Sequence, residues 1–446
     1  MVDLADVEFA ILQMQLVLDG AILRANLVMQ PFDDEDRAAD NRDYAALLAV
    51  SSAAAAAATA AATAAAAMFL EQAAIALMDG RAFPAERVRV ADRVFWTYRQ
   101  RGTRLDLDRL QQFMSPVEFR LFFRLQSPQQ VRTVGAALQV PERFTIRGLT
   151  CTRDFAVLLL LYRFAVTGHR YVDEMYMFGL SQSSLCLIFN AITRFVACGW
   201  QHVYRCSWPS RQRVERCRDA MSRALLSALG VDDDDGSMRV ACCVDGTVTP
   251  VARPSDYEKQ RAYYNGAKKF HCLNSLHVMS ADGVMFLNTN PTIGSAHDSP
   301  LLTESHVLRI LRHYNVTVIG DPAFGDDPNV VHGFKKPPNG ELTAGQRRVN
   351  KALASVRISV EWWFSMPATV LGQVRHASKN RILSSPVAHR VVVATLLSNV
   401  IVILGLNQQH RMKFDVAPPS LTTYFREQRF DEAAALRESA IVVKEN

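Results

Sequence analysis

The pattern of apolar and polar positions divides the chain into a helical part followed by a part with strands. Residues 91–230 are mostly helical in pattern, and the apolar run 155–169 predicts a buried helix that ends near Gly168. Two further helices are predicted on either side of Gly179, with Ser181 as the N-cap of the second. This joint has the layout of a helix-turn-helix unit, although helix–Gly–Ser–helix joints are more common in bundles that do not bind DNA.

From Met238 onward the pattern changes to that of strands. Val240–Val244 and Val316–Ile319 are short apolar runs typical of buried strands, and Leu273–Leu287 predicts a hairpin with its turn at 281–283. Helices are predicted over Leu301–Tyr314, Gln346–Phe364 and His389–Leu406. The order strand, strand, strand, helix, strand, helix predicts an α/β domain with a ribonuclease-H-like mixed sheet flanked by helices.

These changes of pattern suggest four regions. They are a leader at 1–90, a helical domain with the helix-turn-helix-like unit at 91–230, the α/β domain at 238–410 and a charged C-terminal tail at 411–446. The leader contains an uncharged, Ala-rich tract at 45–70, which is long enough to cross a bilayer. Because Ala contributes little to membrane insertion and strongly favours helix, we expect a low-complexity segment and no membrane span.

Composition and charge indicate a folded protein, and the cysteines indicate the compartment in which it works. Of the 446 residues 49% are hydrophobic and 21% are charged, which excludes a wholly disordered chain. The net charge of +6 permits a polyanionic partner without requiring one. The eight cysteines form no CxxC pair, so neither a zinc ribbon nor a thioredoxin motif is indicated, and an intracellular protein is expected.

Three acidic residues stand at the ends of the predicted elements. Asp245 follows the first strand, Asp321 follows the later strand, and Glu361 lies on the late helix. In a ribonuclease-H-like sheet the first and fourth strands are neighbours, so both aspartates would emerge at the same edge, and a helix beside that edge would bring the glutamate. Converging carboxylates need positive charge, and hard cations such as Mg²⁺ prefer oxygen ligands. Two such ions can activate a water and stabilise the leaving oxygen of a phosphodiester.

Each acid taken alone has an ordinary interpretation. An Asp-Gly after a strand is typical of a turn, and Glu361 four residues after Arg357 is typical of a helical ion pair. Because the three acids occur in this order and at these element ends, together they favour a metal-binding catalytic site. A further cluster at 294–299 offers Asp298 as a fourth acid near the metals; the alternative is a loop in which Asp298 or Ser299 caps the next helix.

Several short motifs follow one another in a familiar order. They are Val244-Asp245-Gly246-Thr247, a Tyr- and Lys-containing segment at 263–269, the Gly-Ser-Ala-His-Asp-Ser run at 294–299, Gly320-Asp321, and Arg357 followed by Glu361. Over about residues 238–405 the chain thereby resembles the nuclease domain of PIF/Harbinger-type transposases, a branch of the DDE superfamily. Pro322 and Phe324 depart from that family, whose members often have Ser and usually Tyr there, but neither change removes a carboxylate.

The resemblance implies a metal-dependent DNA endonuclease or transposase with a two-metal DDE mechanism. Asp245, Asp321 and Glu361 would be the catalytic triad that binds Mg²⁺ or Mn²⁺, and Asp298 would be an additional metal ligand. Relatives work with a separate Myb/SANT-like DNA-binding protein, which is the partner that the resemblance implies. A homo-oligomer in the nucleus is the corresponding expectation.

Basic residues supply the candidate DNA contacts. The stretch 335–390 holds ten Lys and Arg against two acids, an excess that would attract a phosphate backbone. The candidate contacts are Lys268, Lys269, Arg347, Arg348, Lys351 and Arg357. Trp362 and Trp363 are expected to pack their helix onto the sheet. Two other functions stay open, namely a catalytically silent, transposase-derived DNA-binding or scaffold protein, and an RNA-directed ribonuclease on the same sheet.

Overall fold

The computed structural model describes most of the chain after residue 104. The described residues are 105–446 apart from 167–170, 202–208, 232–237, 306, 326, 339, 366–369, 383 and 444–446. The predicted leader with its Ala-rich tract lies outside these residues. Of the helices that are described, none combines the length and the apolar character needed to cross a membrane.

The elements before the central sheet are mostly helices. In chain order they are α1 (Leu107–Phe113), α2 (Pro116–Phe123), α3 (Pro128–Ala137), β1 (Arg143–Ile146), β2 (Leu149–Thr152), α4 (Arg153–Ala165), α5 (Tyr171–Phe178), α6 (Gln182–Gly199) and α7 (Arg211–Leu229). The predicted buried helix is confirmed as α4, in which every side chain from Phe155 to Ala165 is buried.

The elements of the sheet region and those that follow complete the fold. The sheet region contains β3 (Val240–Pro250), α8 (Tyr257–Tyr263), β4 (Tyr264–Asn265), β5 (Phe270–Ser280), β6 (Met285–Asn288), β7 (Thr292–Ile293), α9 (Asp298–Glu304), α10 (Val307–Tyr314), β8 (Thr317–Ile319), β9 (Val330–Val331) and α11 (Ala344–Ser365). After it come α12 (Val387–Ile403), α13 (Gln409–Phe414), α14 (Leu421–Gln428), α15 (Glu432–Ser439) and β10 (Val442–Val443).

The central sheet is mixed and follows the predicted order. Its strands lie in the order β4-β5-β3-β8-β9, with β6 and β7 paired to β5. β3 is antiparallel to β5 and parallel to β8, so the first and fourth strands are neighbours as expected. The arrangement is compatible with a ribonuclease-H-like domain. β3 is longer than predicted because it pairs with β5 from Cys242 to Pro250.

Helices cover both faces of this sheet. One face packs on α7 and α11 through side chains such as Met221, Val356 and Trp363. The other face packs on α9 and α10 through Leu302 and Ile310. The single helix predicted over 301–314 was wrong: the chain breaks at Ser305, whose hydroxyl donates to the Leu302 carbonyl at 2.7 Å and accepts from the Val307 N–H at 3.3 Å.

The packing crosses the predicted boundaries at 230 and 410. α7 lies in the predicted helical domain, yet its stripe of Cys217, Met221 and Leu225 belongs to the core of the sheet. The segment expected as a charged tail contains three helices, and Tyr424 and Ile441 are buried in the core of the helical layer. β10 pairs with β1, which ties the C-terminal segment to the start of the helical layer.

The helix-turn-helix-like joint forms as predicted. Gly179 adopts a φ of 66°, and the Ser181 hydroxyl accepts a hydrogen bond from the Ser184 N–H, so it caps α6. However, α6 packs against α4, α12 and α15. Its exposed positions include Gln182, Ser183 and Arg194, while the remainder is mostly buried. This packing favours the bundle interpretation over a recognition helix that enters a DNA groove.

Candidate functional site

Asp245 lies in the middle of β3, and Asp321 lies two residues beyond the end of β8, the parallel strand beside it. Cys243 on β3 is in register with Ile319 on β8, so each aspartate lies two residues beyond the last paired position of the two strands. Adjacent strands are about 4.8 Å apart. Asp321 begins a 3₁₀ turn over Pro322–Phe324, and its carboxylate accepts from the Ala323 N–H at 2.8 Å. The expectation that each aspartate follows the end of its strand is therefore confirmed for Asp321 and wrong for Asp245, because the pairing of β3 with β5 continues to Pro250.

The late helix brings an arginine and a glutamate to Asp245. On α11 the side chains of Arg357 and Glu361 lie one turn apart. Arg357 Nη1 lies 3.3 Å from Asp245 Oδ2, and Arg357 Nη2 lies 3.8 Å from Glu361 Oε1. The exposed fractions of the side chains are 23% for Asp245, 29% for Arg357 and 42% for Glu361. Arg357 thus bridges two of the three predicted catalytic carboxylates in a site that is open to solvent.

The environment of Asp245 disfavours its negative charge. Burial raises the pKa of the Asp245 carboxyl to about 6, and the nearby charges of Glu361 and Asp298 act in the same direction. The Arg357 guanidinium and the hydrogen bond from the Gly246 N–H oppose this pKa rise without cancelling it. A cation placed among these groups would favour the ionised carboxylate.

Asp298 reaches the same place from the opposite side of the sheet. Its carboxylate lies directly over Gly246, where a Cβ atom would come within 2.5 Å of Asp298 Oδ2. The Asn274 side-chain amide donates to Asp298 Oδ1 at 2.8 Å and to the Ala296 carbonyl at 2.9 Å. The absence of a side chain at Gly246 therefore leaves the space that Asp298 fills, and Asn274 fixes its orientation.

The capping role considered for Asp298 and Ser299 was wrong. The N-cap residue of α9 is the exposed His297, which makes no side-chain cap bond, and Asp298 is the first residue of the helix. Its carboxylate is instead held by Asn274 from β5. A partner that lies 24 positions away in sequence competes successfully with the local backbone.

The residues fit a hard divalent cation in their chemistry but not in their placement. Carboxylate oxygens are the donors that Mg²⁺ and Mn²⁺ prefer. Yet among the described residues no group of three or more His, Cys, Asp or Glu side chains is gathered in a way that could hold an ion. Arg357 lies between Asp245 and Glu361 and contacts both.

The candidate DNA contacts fall into two groups. Some have internal partners: Arg348 donates to the Leu229 carbonyl at the end of α7, Arg347 donates to the Leu342 carbonyl, and Arg357 lies in the site. Lys268, Lys269 and Lys351 are exposed. Within the basic stretch, the largely buried Arg390 donates to the Lys379 carbonyl at 2.8 Å. The basic excess is therefore only partly available to a phosphate backbone.

The C-terminal segment contacts α11 through His410 and Lys413, and the sequence did not predict these contacts. Lys413 on α13 donates to the Ser355 carbonyl and lies 4.9 Å from the Trp362 ring. His410 hydrogen-bonds the Ser359 carbonyl at 2.8 Å. Trp363 is fully buried on the sheet with its ring 5.6 Å from that of His277, as expected. Apolar residues such as Phe414 and Val416 were the available sign that this segment packs.

A comparison with known families agrees with this geometry. Residues 244–399, about a third of the 446 residues, match the model of a family described as a DDE superfamily endonuclease. No curated protein and no solved structure matches the chain. The family match supports a metal-dependent nuclease or transposase of the DDE type, a class that generally uses divalent metals and for which DNA is the implied substrate.

Proposed function

We propose that this chain is a DNA endonuclease or transposase of PIF/Harbinger type that cleaves phosphodiester bonds with the help of Mg²⁺ or Mn²⁺. The observation that carries the proposal is the grouping of charges around Asp245. Arg357 links Asp245 to Glu361, Asp298 lies over Gly246, and the charges of Glu361 and Asp298 both raise the pKa of Asp245, while Asp321 follows the end of the neighbouring strand β8. An ordinary turn or a single helical ion pair would not bring acids from β3, α9 and α11 into one neighbourhood.

Each residue has a definable part in this proposal. Asp245, Asp321 and Glu361 are the catalytic carboxylates, and Asp298 is an additional metal ligand. Bound metal ions would supply positive charge to activate water and stabilise the leaving oxygen. Arg357 places its positive charge between Asp245 and Glu361. Asn274 and Gly246 position Asp298. Lys268, Lys269, Arg347, Arg348 and Lys351 are the proposed DNA contacts, of which Arg348 also contacts the end of α7.

Three further parts of the proposal rest on the resemblance alone. They are a Myb/SANT-like DNA-binding partner, assembly into a homo-oligomer and a nuclear location. Co-purification of the full chain with a candidate partner and its DNA end would test the first of them, and the mass of the assembly in solution would test the second.

The decisive experiment is nicking of supercoiled plasmid by the full chain with Mg²⁺ or Mn²⁺. We expect cleavage by the wild type and its loss in Asp245→Asn and in Glu361→Gln, with both variants folded. Glu341→Gln is the matched control, because Glu341 is an exposed acid paired only with Lys336 at 3.5 Å. Equal cleavage by the wild type and Asp245→Asn would contradict the proposal.

One observation favours a second candidate, a catalytically silent scaffold derived from a transposase. Arg357 already contacts both Asp245 and Glu361, and the described residues contain no ready cluster of metal ligands. In that case the arginine would be a permanent structural counterion. Calorimetric titration with Mn²⁺ separates the two: binding that is lost in Asp245→Asn supports the nuclease, and no binding by the folded wild type supports the scaffold.

A further inference from the structure

The hairpin of β4 and β5 presents aromatic rings to solvent beside basic side chains. Tyr264 is 42% exposed and Phe270 is 36% exposed, and Ile293 on the neighbouring β7 is 43% exposed. Lys268 and Lys269 form the turn of the hairpin, and both are exposed. Large exposed rings on a protein surface call for an explanation, and among the described residues many of the aromatic rings are buried in the cores.

The register puts part of this surface on the same face of the sheet as Asp245. Asp245 pairs with His277, and Tyr264 pairs with His271, six residues earlier on β5. Positions separated by an even number of residues lie on one face of a strand. Tyr264 and His271 therefore share the face of Asp245, at a distance of about 20 Å along β5. Their rings contact edge-on with centroids 5.4 Å apart.

Hydrogen bonds fix this hairpin to the segment that carries Asp298. The Asn265 side chain donates to the Gly294 carbonyl at 3.0 Å, and the Ser295 N–H donates to the Ala262 carbonyl at 3.1 Å. Gly294 has no room for a side chain, since a Cβ would lie 2.4 Å from the Tyr263 carbonyl. The Asn265 side chain also accepts from the Lys268 N–H at 2.9 Å, which shapes the turn. These hydrogen bonds connect the hairpin to the segment that runs from Gly294 to Asp298.

The charge of this surface indicates which kind of partner it would bind. Residues 257–271 contain four Lys and Arg against one acid. Basic side chains attract phosphates, and exposed aromatic rings stack on unpaired bases whatever their sequence. A duplex hides the faces of its bases, so a strand with unpaired bases matches both features of the surface.

We infer that Tyr264 and His271, together with Lys268 and Lys269, form a stacking platform for an unpaired nucleotide of the DNA substrate. The inference deepens the proposed function and rests on it, because it names single-stranded DNA next to the cleavage site as the form that is bound.

The test is binding of a fluorescent oligothymidine to the full chain in EDTA, measured by anisotropy. Tyr264→Ala should weaken this binding about ten-fold or more, and Tyr264→Phe should retain it because the ring remains. An abasic oligonucleotide of equal length has the same phosphates without bases, so Tyr264→Ala should leave its affinity unchanged. Lys268→Ala with Lys269→Ala should weaken both probes and reduce the salt dependence.

A matched control is offered by Tyr257, a 77% exposed tyrosine at the start of α8. Tyr257→Ala should bind oligothymidine like the wild type. Unchanged affinity of Tyr264→Ala, or an equal loss for oligothymidine and the abasic strand, would overturn the inference. A change in self-association with no change in DNA binding would also overturn it, by assigning the surface to a second copy of the chain. Since the assay needs no metal and no cleavage, its failure is distinct from a failure of the proposed nuclease activity.

Discussion

Two arginine–carboxylate clusters in this molecule use the same chemistry in opposite ways. In the helical layer, Arg163 on α4 and Glu174 on α5 form two hydrogen bonds at 2.5 and 2.7 Å, and their side chains are 7% and 0% exposed. Beside β3, Arg357 meets Asp245 and Glu361 at 3.3 and 3.8 Å, and all three are partly exposed. We call the first cluster sealed, because it is buried and has short hydrogen bonds. We call the second cluster open, because it is partly exposed and its contacts are longer.

The difference shows which cluster can change partners. The Arg163 guanidinium also lies 4.8 Å from the centre of the Phe189 ring, so aromatic packing closes its surroundings. Separating a buried pair leaves a charge without solvent, and this cost locks the pair in place. At the open cluster water can replace each contact, so a cation or a phosphate can take the place of Arg357 at small cost.

The largest expected effect comes from breaking the sealed pair. Glu174→Gln keeps the shape of the side chain but leaves the Arg163 charge buried without its counterion. We expect the free energy of unfolding to fall by about 3–5 kcal/mol, measured by chemical denaturation. Asp219→Asn, which removes the exposed partner of Arg218, should cost less than about 1 kcal/mol. Similar losses in both variants would remove the distinction between sealed and open pairs.

The next effect has the opposite sign and concerns Asp245. Its folded-state pKa of about 6 lies above the ordinary value of 3.8, so the folded protein holds this proton more tightly than the unfolded chain. The Asp245 contribution to stability therefore falls as the pH rises from about 4 to 6, and the full penalty is present above pH 6. Asp245→Asn has no such penalty.

We therefore expect Asp245→Asn to unfold at a higher denaturant concentration than the wild type at pH 8 in EDTA. The gain should widen by about 1–2 kcal/mol between pH 5 and pH 8. Glu361→Gln, which changes a more exposed acid, serves as the comparison. If the difference in unfolding free energy between the wild type and Asp245→Asn did not depend on pH, the pKa of Asp245 would not be raised in the folded protein.

Sequence patterns were sufficient where a feature depends on neighbouring residues. The Ser181 cap, the buried helix α4 and the position of Asp321 after β8 all follow from local spacing, and the pairing of β3 with β8 follows from one rule about strand order. The end of β3 was missed, because its last residues are strand only through their pairing with β5. The pair of Arg357 with Glu361 was also expected from their spacing.

The features that were missed depend on distant partners. Asn274 takes Asp298 away from the capping role that local sequence suggested. β10 pairs with β1 across almost the whole described chain, and Tyr424 is buried although its segment is rich in charge. None of these three features leaves a periodic pattern in the sequence, because each involves only one or two residues that meet a distant partner in the folded chain.

A smaller effect tests whether the open cluster is arranged in advance. Gly246→Ala places a methyl group where the Asp298 carboxylate lies, so Asp298 has to move away from Asp245. We expect metal-dependent cleavage to fall about ten-fold or more, since small displacements of positioned groups have large effects on rate. Gly266→Ala is the matched control, because a Cβ there would meet no atom within 4 Å. Full activity of Gly246→Ala would remove Asp298 from the site.

The smallest expected effect on stability brings the two arginines into direct contrast. At pH 5 in EDTA, Arg357→Gln should change the free energy of unfolding by less than about 1 kcal/mol, because Asp245 can take up a proton there and Glu361 is exposed. Arg163→Gln should cost about 3–5 kcal/mol, since it leaves Glu174 buried and charged. Calorimetric titration should also show tighter Mn²⁺ binding to Arg357→Gln, because the competing guanidinium is gone. Weaker Mn²⁺ binding would mean that Arg357 positions the carboxylates for the ion instead of competing with it, and the open cluster would then resemble the sealed one.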